Sequence, residues 1–567
     1  MNPEQENVIF FDTTLRDGAQ AAEKQIKTDE AVKIAVALEE AGVNVAEMPM
    51  ATSGPNRDMI RQIFKTTKQI ELAAFVRDGV EKDIVEAVGT LDEAIHQGRA
   101  RMSMLTPTAE CLREAKGVSK EEAMRRMTSG IENSIKEFTK RGQAPKLHIY
   151  FEGASQVKDL GFMDELTQAA IRRANELTPP EYRTNLELTL DYPDTHGTAG
   201  SNLDDPNEHE KLHRHYSQLV SGMAAEFAYR RLITAAHCHD DNGLAVENTI
   251  QAYRAGARQL GVTVLGVGER SGNADIIHVV QRFQTSGKIN EITVNPEHMR
   301  HLAEVTAPVF GIDFSQHRVV GNETGSTAAG IHADKINADP DSYIKKNPAD
   351  FGAPAYIYKV GPAMGRSGVA GVLGEMGVHL PLSICSRIYE DYLKSIERGE
   401  DADYAGKEGR LNFIRTFVYR NPEVVRRAEI ENGKLIYLRD FDPKSRVPEE
   451  KGGKRRTHLD FTYAINGEEK SGSGDSTGGS LPIVEETLEK ELGLNLKLTH
   501  WETYNTDEGA DSEVVAMVTM RCMATNTERT GYSVDGDEKV ASVQAMLHAI
   551  SSFPQAEERL KKADKSI

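Results

Sequence analysis

The stretch AAHCHDDNGLAV, residues 235–246, ends the apolar run LITAA with two histidines flanking Cys238. In a strand, alternate side chains share a face, so His237 and His239 project together while Cys238 points away. Two imidazoles on one side of a strand end can hold a divalent metal, and the same pair can equally cap a strand through hydrogen bonds. Four further segments set chemistry-bearing side chains behind apolar runs. FFDTTLRDGAQ presents Arg16 and Asp17 beside a glycine that lets the backbone turn tightly. A carboxylate can complete a metal site begun by two histidines, and an arginine can neutralise an oxyanion forming on the same substrate. GVGERSGNAD carries Glu269, Arg270 and Asn273 in a loop broken by glycine, while YFEG and YPDTHGTAG bring Glu152, Asp194, Thr195 and His196 to strand ends. Singly, each reads as a surface ion pair, a turn or a cap. Their recurrence at strand ends points to one shared site.

The elements that must position them follow a repeating pattern from Val8 to about Phe283. The short apolar runs VIFFD, VNVAEM, IELAAFV, ARMSML, KLHIYF, LELTL, LITAAHCH and VTVLGVGE make eight strand candidates. Amphipathic segments such as DEAVKIAVALEEAG, NRDMIRQIFKT, MDELTQAAIRRANEL and NTIQAYRAGARQL alternate with them at helical spacing. Eight strands alternating with helices predict an α/β fold, a (β/α)8 TIM barrel over residues 1–285, with its chemistry at the C-terminal ends of the strands. A doubly wound open sheet is the rival, weakened because no glycine-rich dinucleotide fingerprint follows the first strand. Residues 286–438 lose the strand rhythm and read as a helical linking subdomain, with GPAMGRSGVAG as a glycine-rich loop inside it. The charged stretch RDFDPKSRVPEEKGGKRRT, residues 439–457, reads as a linker. Residues 458–567 mix alternating strands with the helix candidates LPIVEETLEKELG and KVASVQAMLHAI, giving a small α+β domain.

The whole chain sets limits on partners. At 567 residues it exceeds one hydrophobic core. Its 68 Lys plus Arg against 87 Asp plus Glu give a formal net charge of -19, which disfavours nucleic-acid binding. Cys111, Cys238, Cys385 and Cys522 form no CxxC pair, which suits a reduced compartment with buried or idle thiols. There is no signal-peptide pattern at MNPEQENVIFFD and no apolar run of membrane-spanning length, so the expectation is a cytoplasmic protein without a membrane partner.

In this order and at these strand positions, DTTLRDGAQ, DTHGTA, HCHDDNGLAVEN and GVGERSGNAD resemble the metal-dependent acyl-CoA condensing and cleaving barrels of the 2-isopropylmalate synthase, homocitrate synthase, citramalate synthase and hydroxymethylglutaryl-CoA lyase superfamily. The resemblance covers nearly the whole chain. It implies Asp17, His237 and His239 as metal ligands, with Asn273 contacting the metal directly or through water, and Arg16 as the oxyanion-stabilising arginine. It further implies Gln20, Thr195 and Glu269 around the substrate and Glu152 in acid/base work. Beyond the barrel, GSTAAGIHADKI and YIKKNPADFG resemble segments that carry an essential histidine and a tyrosine, here His332 and Tyr343. Residues from THLDFTY onward resemble the C-terminal regulatory domain of 2-isopropylmalate and citramalate synthases, a unit that hydroxymethylglutaryl-CoA lyases lack.

The resemblance implies an acyltransferase that condenses acetyl-CoA with a 2-oxo acid and hydrolyses the thioester. The tail favours 2-oxoisovalerate, giving 2-isopropylmalate for leucine biosynthesis. The expected metal is Mg²⁺ or Mn²⁺, and two imidazoles also suit Zn²⁺, so the sequence leaves the metal open. The general base is left open between Glu152 and the His332–Tyr343 pair. A homodimer with an amino-acid effector such as leucine is also implied. Citramalate or homocitrate synthesis and C–C lysis are the alternatives, and from another class a catalytically silent, amino-acid-sensing metal-binding protein. The chain departs from the family where AAEKQ follows Gln20, where EMPMATSGPN follows the second strand, and where Asp240 stands in place of an asparagine. Strand-end residues of this kind set substrate choice.

Overall fold

A computed structural model describes residues 7–553 other than 23, 228, 341–342, 345–346, 355–356, 376–379, 401–403, 418–435, 447–455, 466–467, 478, 506–513, 536 and 552. The chain divides into two compact units. The first runs Met1–Thr324 and takes in Lys346–Ala355; the second comprises Gly325–Lys345 and Tyr356–Ile567.

The first unit is the expected barrel. Strands β1 (Ile9–Asp12), β2 (Val45–Met48), β3 (Glu71–Arg77), β4 (Ala100–Pro107), β5 (Lys146–Glu152), β6 (Glu187–Asp191), β7 (Arg231–His237) and β8 (Gln259–Val262) form a closed, all-parallel sheet in sequence order. The ring closes where Ile9–Asp12 pairs with Gln259–Val262. The main core lies between the sheet and its outer helices, where Ile34, Leu38, Ile60, Ile84, Ile131 and Leu166 are fully buried.

The lumen is layered. At the N-terminal ends of the strands Arg101 reaches Glu71 at 2.6 Å, Thr189 at 3.1 Å and Gln259 at 3.0 Å, while Lys146 meets Glu71 at 2.6 Å. These cross-barrel pairs compensate charges that burial would otherwise make costly. Above them Phe11 of β1 meets His148 of β5 with ring centroids 4.6 Å apart, a contact between strands that are not neighbours in the sheet. The C-terminal ends of the strands are left to carry chemistry.

One boundary differs from the sequence pattern, which extends the helix NTIQAYRAGARQL to Leu260 and places the eighth strand over VTVLGVGE. The helix is Ala245–Arg254, the chain turns at Gly256, and β8 is Gln259–Val262, paired to both β1 and β7. Past Val262 the Thr263 N–H turns to the Ala274 carbonyl, and Val264–Gly266 coils into a 3-10 turn. Barrel closure, rather than apolar alternation, fixes where this strand lies.

The second unit begins with the helical segment. Helices Gly330–Ala338, Gly365–Glu375, Leu382–Glu397 and Gly406–Phe417 accompany a short parallel pair, β9 (Ser326–Thr327) with β10 (Ile357–Tyr358). The stretch read as a glycine-rich loop is helical from Gly365 onward, and its glycines serve close packing: a Cβ at Gly371 would lie 2.3 Å from the Tyr358 ring. The expected linker 439–457 is also corrected. Residues up to Arg446 belong to β11 (Ile436–Arg446), which pairs antiparallel with β12 (Arg456–Ile465), and 447–455 lie outside the described residues. Its charges and prolines resemble a spacer in composition, yet the backbone up to Arg446 pairs with β12.

β13 (Glu468–Ser476) completes that sheet and is followed by helix Leu481–Leu492. β14 (Leu496–Asn505), β15 (Val514–Cys522) and β16 (Thr527–Asp535) form a second three-stranded sheet followed by helix Glu538–Ser551. The chain thus runs through βββα twice. Leu459, Phe461, Val484, Leu488, Val518 and Met546 share one core beneath both sheets. Among the described residues no helix is long and apolar enough to cross a membrane.

Candidate active site

β1 ends in a polar switch. Asp12 accepts the Thr14 N–H and hydroxyl, both at 2.9 Å, and the chain coils into a π-helical turn over Thr14–Gly18 that aims Arg16 and Asp17 at the barrel mouth. β7 delivers His237, and an isolated bridge between His239 and Asn273 carries the pairing past the strand end. His237 and His239 therefore share a side, with ring centroids 5.1 Å apart, while the fully buried Cys238 points away, its Sγ 3.5 Å from His209 Nε2.

Asp17, His237 and His239 converge. Asp17 Oδ2 lies 3.5 Å from His237 Nε2 and 3.9 Å from His239 Nε2, and all three residues are buried. Asn273 donates from Nδ2 to Asp17 Oδ2 at 2.8 Å and to the Val267 carbonyl at 3.1 Å. Its Oδ1 is buried without a hydrogen-bond partner. Gly268 makes room for that amide: a Cβ there would stand 2.0 Å from Asn273 Nδ2. One carboxylate, two imidazoles and an unpartnered amide oxygen form a donor set that fits a divalent cation. Burial alone would push the Asp17 carboxyl up, but the His237 hydrogen bond and the Arg16 charge outweigh it and hold the group well below the usual carboxylate range. Burial, helped by the neighbouring His237 ring, pushes His239 down to about 4, so its imidazole is neutral and free to act as a ligand.

Arg16 stands beside this cluster, with Nη1 3.2 Å from Asp17 Oδ1. Its orientation is set by residues that motif reading does not single out. Glu47, fully buried at the end of β2, accepts Arg16 Nε at 2.5 Å and the Tyr150 hydroxyl on both oxygens at 3.1 Å. The guanidinium also lies over the Phe75 ring at 4.9 Å and the Tyr150 ring at 5.7 Å. The signal in the sequence is the acid inside the apolar run VNVAEM, two positions from Val45 and hence on the lumen face.

The other expected residues form separate groups. Gln20 is exposed and lines a cavity next to Arg16. Thr195 Oγ1 accepts the Gly153 N–H at 2.9 Å, placing it beside Glu152, whose carboxylate is held by Lys116 at 2.9 Å. The Thr195 carbonyl accepts Arg270 Nη2 at 2.7 Å, and Arg270 also grips Asp241 at 2.9 and 3.0 Å. Glu269 is exposed in the same loop. Asp194 organises its own loop, accepting Ser155 Oγ at 2.7 Å and the Ala199 N–H at 2.9 Å. In the second unit the Tyr343 hydroxyl lies 3.0 Å from His332 Nδ1, with the rings stacked at 4.4 Å.

A second cluster, Asp275, His278 and His317, also has metal-ligand residue types. Its hydrogen bonds exclude that use. His317 Nδ1 accepts the N–H groups of Val319 and Val320 at 3.2 and 3.3 Å, so the proton sits on Nε2, which donates to Asp275 Oδ2 at 2.7 Å. A metal on Nε2 would force a proton onto Nδ1 against two backbone donors.

The sequence model of the HMGL-like family matches residues 7–306, more than half of the chain. The chain belongs to the HMGL-like family. Its similarity to individual members extends past the barrel. The 2-isopropylmalate synthase of Campylobacter hominis is 24% identical over 96% of this chain and 98% of its own. That of Hydrogenovibrio crunogenus is 25% identical over 97% of each chain, and that of Vibrio vulnificus is 25% identical over 99% of each. Among solved structures, the HMG-CoA lyase of Brucella melitensis is 16% identical, covering 54% of this chain and 100% of its own with a TM-score of 0.41.

Proposed function

We propose that this HMGL-like protein condenses acetyl-CoA with a 2-oxo acid, 2-oxoisovalerate above all, to form 2-isopropylmalate for leucine biosynthesis. The observation that carries the reading is the convergence of Asp17, His237, His239 and Asn273 beside an arginine already oriented by Glu47. Relatives named 2-isopropylmalate synthase that match this chain along nearly its full length support it.

Asp17, His237 and His239, with Asn273, would hold Mg²⁺ or Mn²⁺, or Zn²⁺. When bound, the cation supplies Lewis acidity that polarises the oxo carbonyl and fixes the face it presents. Arg16 meets the alkoxide that develops on that carbonyl oxygen. Gln20, Thr195 and Glu269 orient the oxo acid. The base is Glu152, whose carboxylate Lys116 holds beside Thr195, or the His332–Tyr343 pair. The base takes a proton from the acetyl methyl, the carbanion bonds to the oxo carbon, and the alkoxide takes up a proton. Water then adds to the thioester carbonyl, the C–S bond breaks, and the carboxylate, the CoA thiol and a proton leave.

In this reading the repeated βββα portion is a regulatory domain for an amino-acid effector, leucine, the protein is a cytoplasmic homodimer, and effector and substrate are coupled through two states. The test is CoA release from acetyl-CoA by the full chain with Mg²⁺ or Mn²⁺, with and without leucine. Release that needs 2-oxoisovalerate, stops on chelation and falls with leucine is expected. No release with any oxo acid refutes the condensation. His332→Ala and Glu152→Gln separate the two candidates for the base: the variant that removes it is expected to lower kcat by about 100-fold or more, and near-normal turnover in both excludes both.

A further inference from the structure

The barrel mouth holds a cavity of about 330 Å³ next to Arg16. Leu15, Ile26, Met50, Met59 and Phe75 give it an apolar wall, interrupted by the amides of Gln20, Gln25 and Asn56. Asn56 spends its Nδ2 on the Met50 carbonyl at 2.9 Å, which fixes the loop after β2. Among the described residues lining the cavity, Arg16 is the only charged one. Its guanidinium already meets Glu47 at 2.5 Å and Asp17 at 3.2 Å, so two carboxylates answer its one charge.

We propose that this cavity receives the side chain of the 2-oxo acid, that it selects apolar side chains over those ending in a carboxylate, and that it admits groups larger than isopropyl. The proposal rests on the condensing reading above. Arg16, which meets the developing alkoxide in that reading, is the residue this cavity shares with the site, so a side chain that extends past Arg16 enters the apolar wall. A second carboxylate there would leave water and find no unpaired cation, a burial that is strongly disfavoured. The volume corresponds to roughly ten water-sized units, well beyond the three carbons of an isopropyl group. Met50 and Met59 carry flexible thioether side chains that can close around ligands of different shape. The altered stretch EMPMATSGPN therefore supplies a chemical function, because it contributes Met50 and Asn56 and leads into the helix that carries Met59.

The experiment is a kcat/KM series for CoA release by the full chain with Mg²⁺, across pyruvate, 2-oxoisovalerate, 4-methyl-2-oxopentanoate, phenylpyruvate, 2-oxoglutarate and oxaloacetate. 4-Methyl-2-oxopentanoate is expected within about tenfold of 2-oxoisovalerate, since one methylene in an apolar pocket is worth about that much. The two dicarboxylic acids are expected to fall at least about 100-fold lower, the result of a buried, unpaired charge. Met59→Lys is expected to shift the ratio of 2-oxoglutarate to 2-oxoisovalerate upward by about tenfold or more. Because Met59 is buried and the variant can fail to fold, Met50→Lys on the half-buried loop makes the same test. A dicarboxylic acid as the best substrate, or a sharp cut-off above isopropyl, overturns the proposal while leaving condensation in place. If no acid releases CoA, the condensing reading fails. The cavity is then judged by the thermal shift that each acid produces with Mg²⁺ present. Larger shifts for the apolar acids support the assignment, and larger shifts for the dicarboxylic acids, or none for any, overturn it.

Discussion

Glu47→Gln keeps the volume of the side chain and removes the charge that orients Arg16. At 2.5 Å and an effective dielectric of about 20 the Glu47–Arg16 attraction is about 7 kcal/mol. Most of it offsets desolvation, since the Glu47 side chain is 0% exposed and that of Arg16 only 11%. What the substitution exposes is the cost of a buried guanidinium that has lost one of two carboxylates. Breaking a buried pair costs roughly 3–5 kcal/mol, and Asp17 at 3.2 Å retains part of the compensation, which places the loss near 3 kcal/mol. In a unit of this size that lowers Tm by about 4 °C. Freed from Glu47, Arg16 closes on Asp17 and leaves the position where it would meet the alkoxide, so kcat is expected to fall by about 10² to 10³. Thermal unfolding and CoA release on the same preparation measure both. A Tm drop with kcat within about threefold of the unmodified protein would show that Glu47 only supports the lumen and that Arg16 does not act through it.

Asp17→Ala and His237→Ala are each expected to abolish metal binding and turnover together, checked by metal content after dialysis; normal turnover in either would misplace the site. Metal titration is expected to saturate at about one divalent ion per chain, and His317→Ala to leave that number unchanged, because the tautomer imposed by Val319 and Val320 keeps the second cluster from binding. His548 gives a pH dependence with a defined sign. Its Nδ1 donates to the Tyr532 carbonyl at 2.7 Å and its Nε2 faces Gln544 Nε2 at 2.7 Å, fixing a neutral ring that burial pushes down to about 4. The unfolded chain takes up a proton that the folded chain refuses, so stability is complete above about pH 6.5 and falls toward pH 4 by about 3 kcal/mol. Denaturant unfolding of the second unit at pH 7 and pH 4.5 checks this, and His548→Gln is expected to flatten the slope.

The barrel was legible because short apolar runs, five of which end as strands at Asp12, Arg77, Glu152, Asp191 and His237, alternate with segments that keep a 3.6-residue stripe, a pattern that survives without tertiary information. The convergence of Asp17, His237 and His239 was legible for a related reason. Asp17 follows β1 and His237 and His239 stand at the end of β7, two strands with only β8 between them around the ring, so parity and order suffice to bring them together. Where closure decides, the pattern misleads: Gln259–Val262 carries only two strongly apolar side chains, yet it is the strand, because it bonds to both β1 and β7. The linker reading of 439–457 fails in the same way, since the partner that makes Ile436–Arg446 a strand lies ten or more residues further on. Glu47, Tyr150 and Phe75 belong to a third kind. They sit in ordinary apolar runs, and only the inward register of β2, β3 and β5 sets them around one guanidinium. A buried acid in such a run is nonetheless a physical anomaly that the sequence displays, because an uncompensated carboxylate cannot be left in a lumen. The arginine that must answer it had to come from another strand end, and Arg16 was the candidate already in view. The same logic extends to the cavity beside it: Arg16 is the only charged residue among its described lining, and Glu47 and Asp17 already pair it, so no positive charge is left there for a second carboxylate.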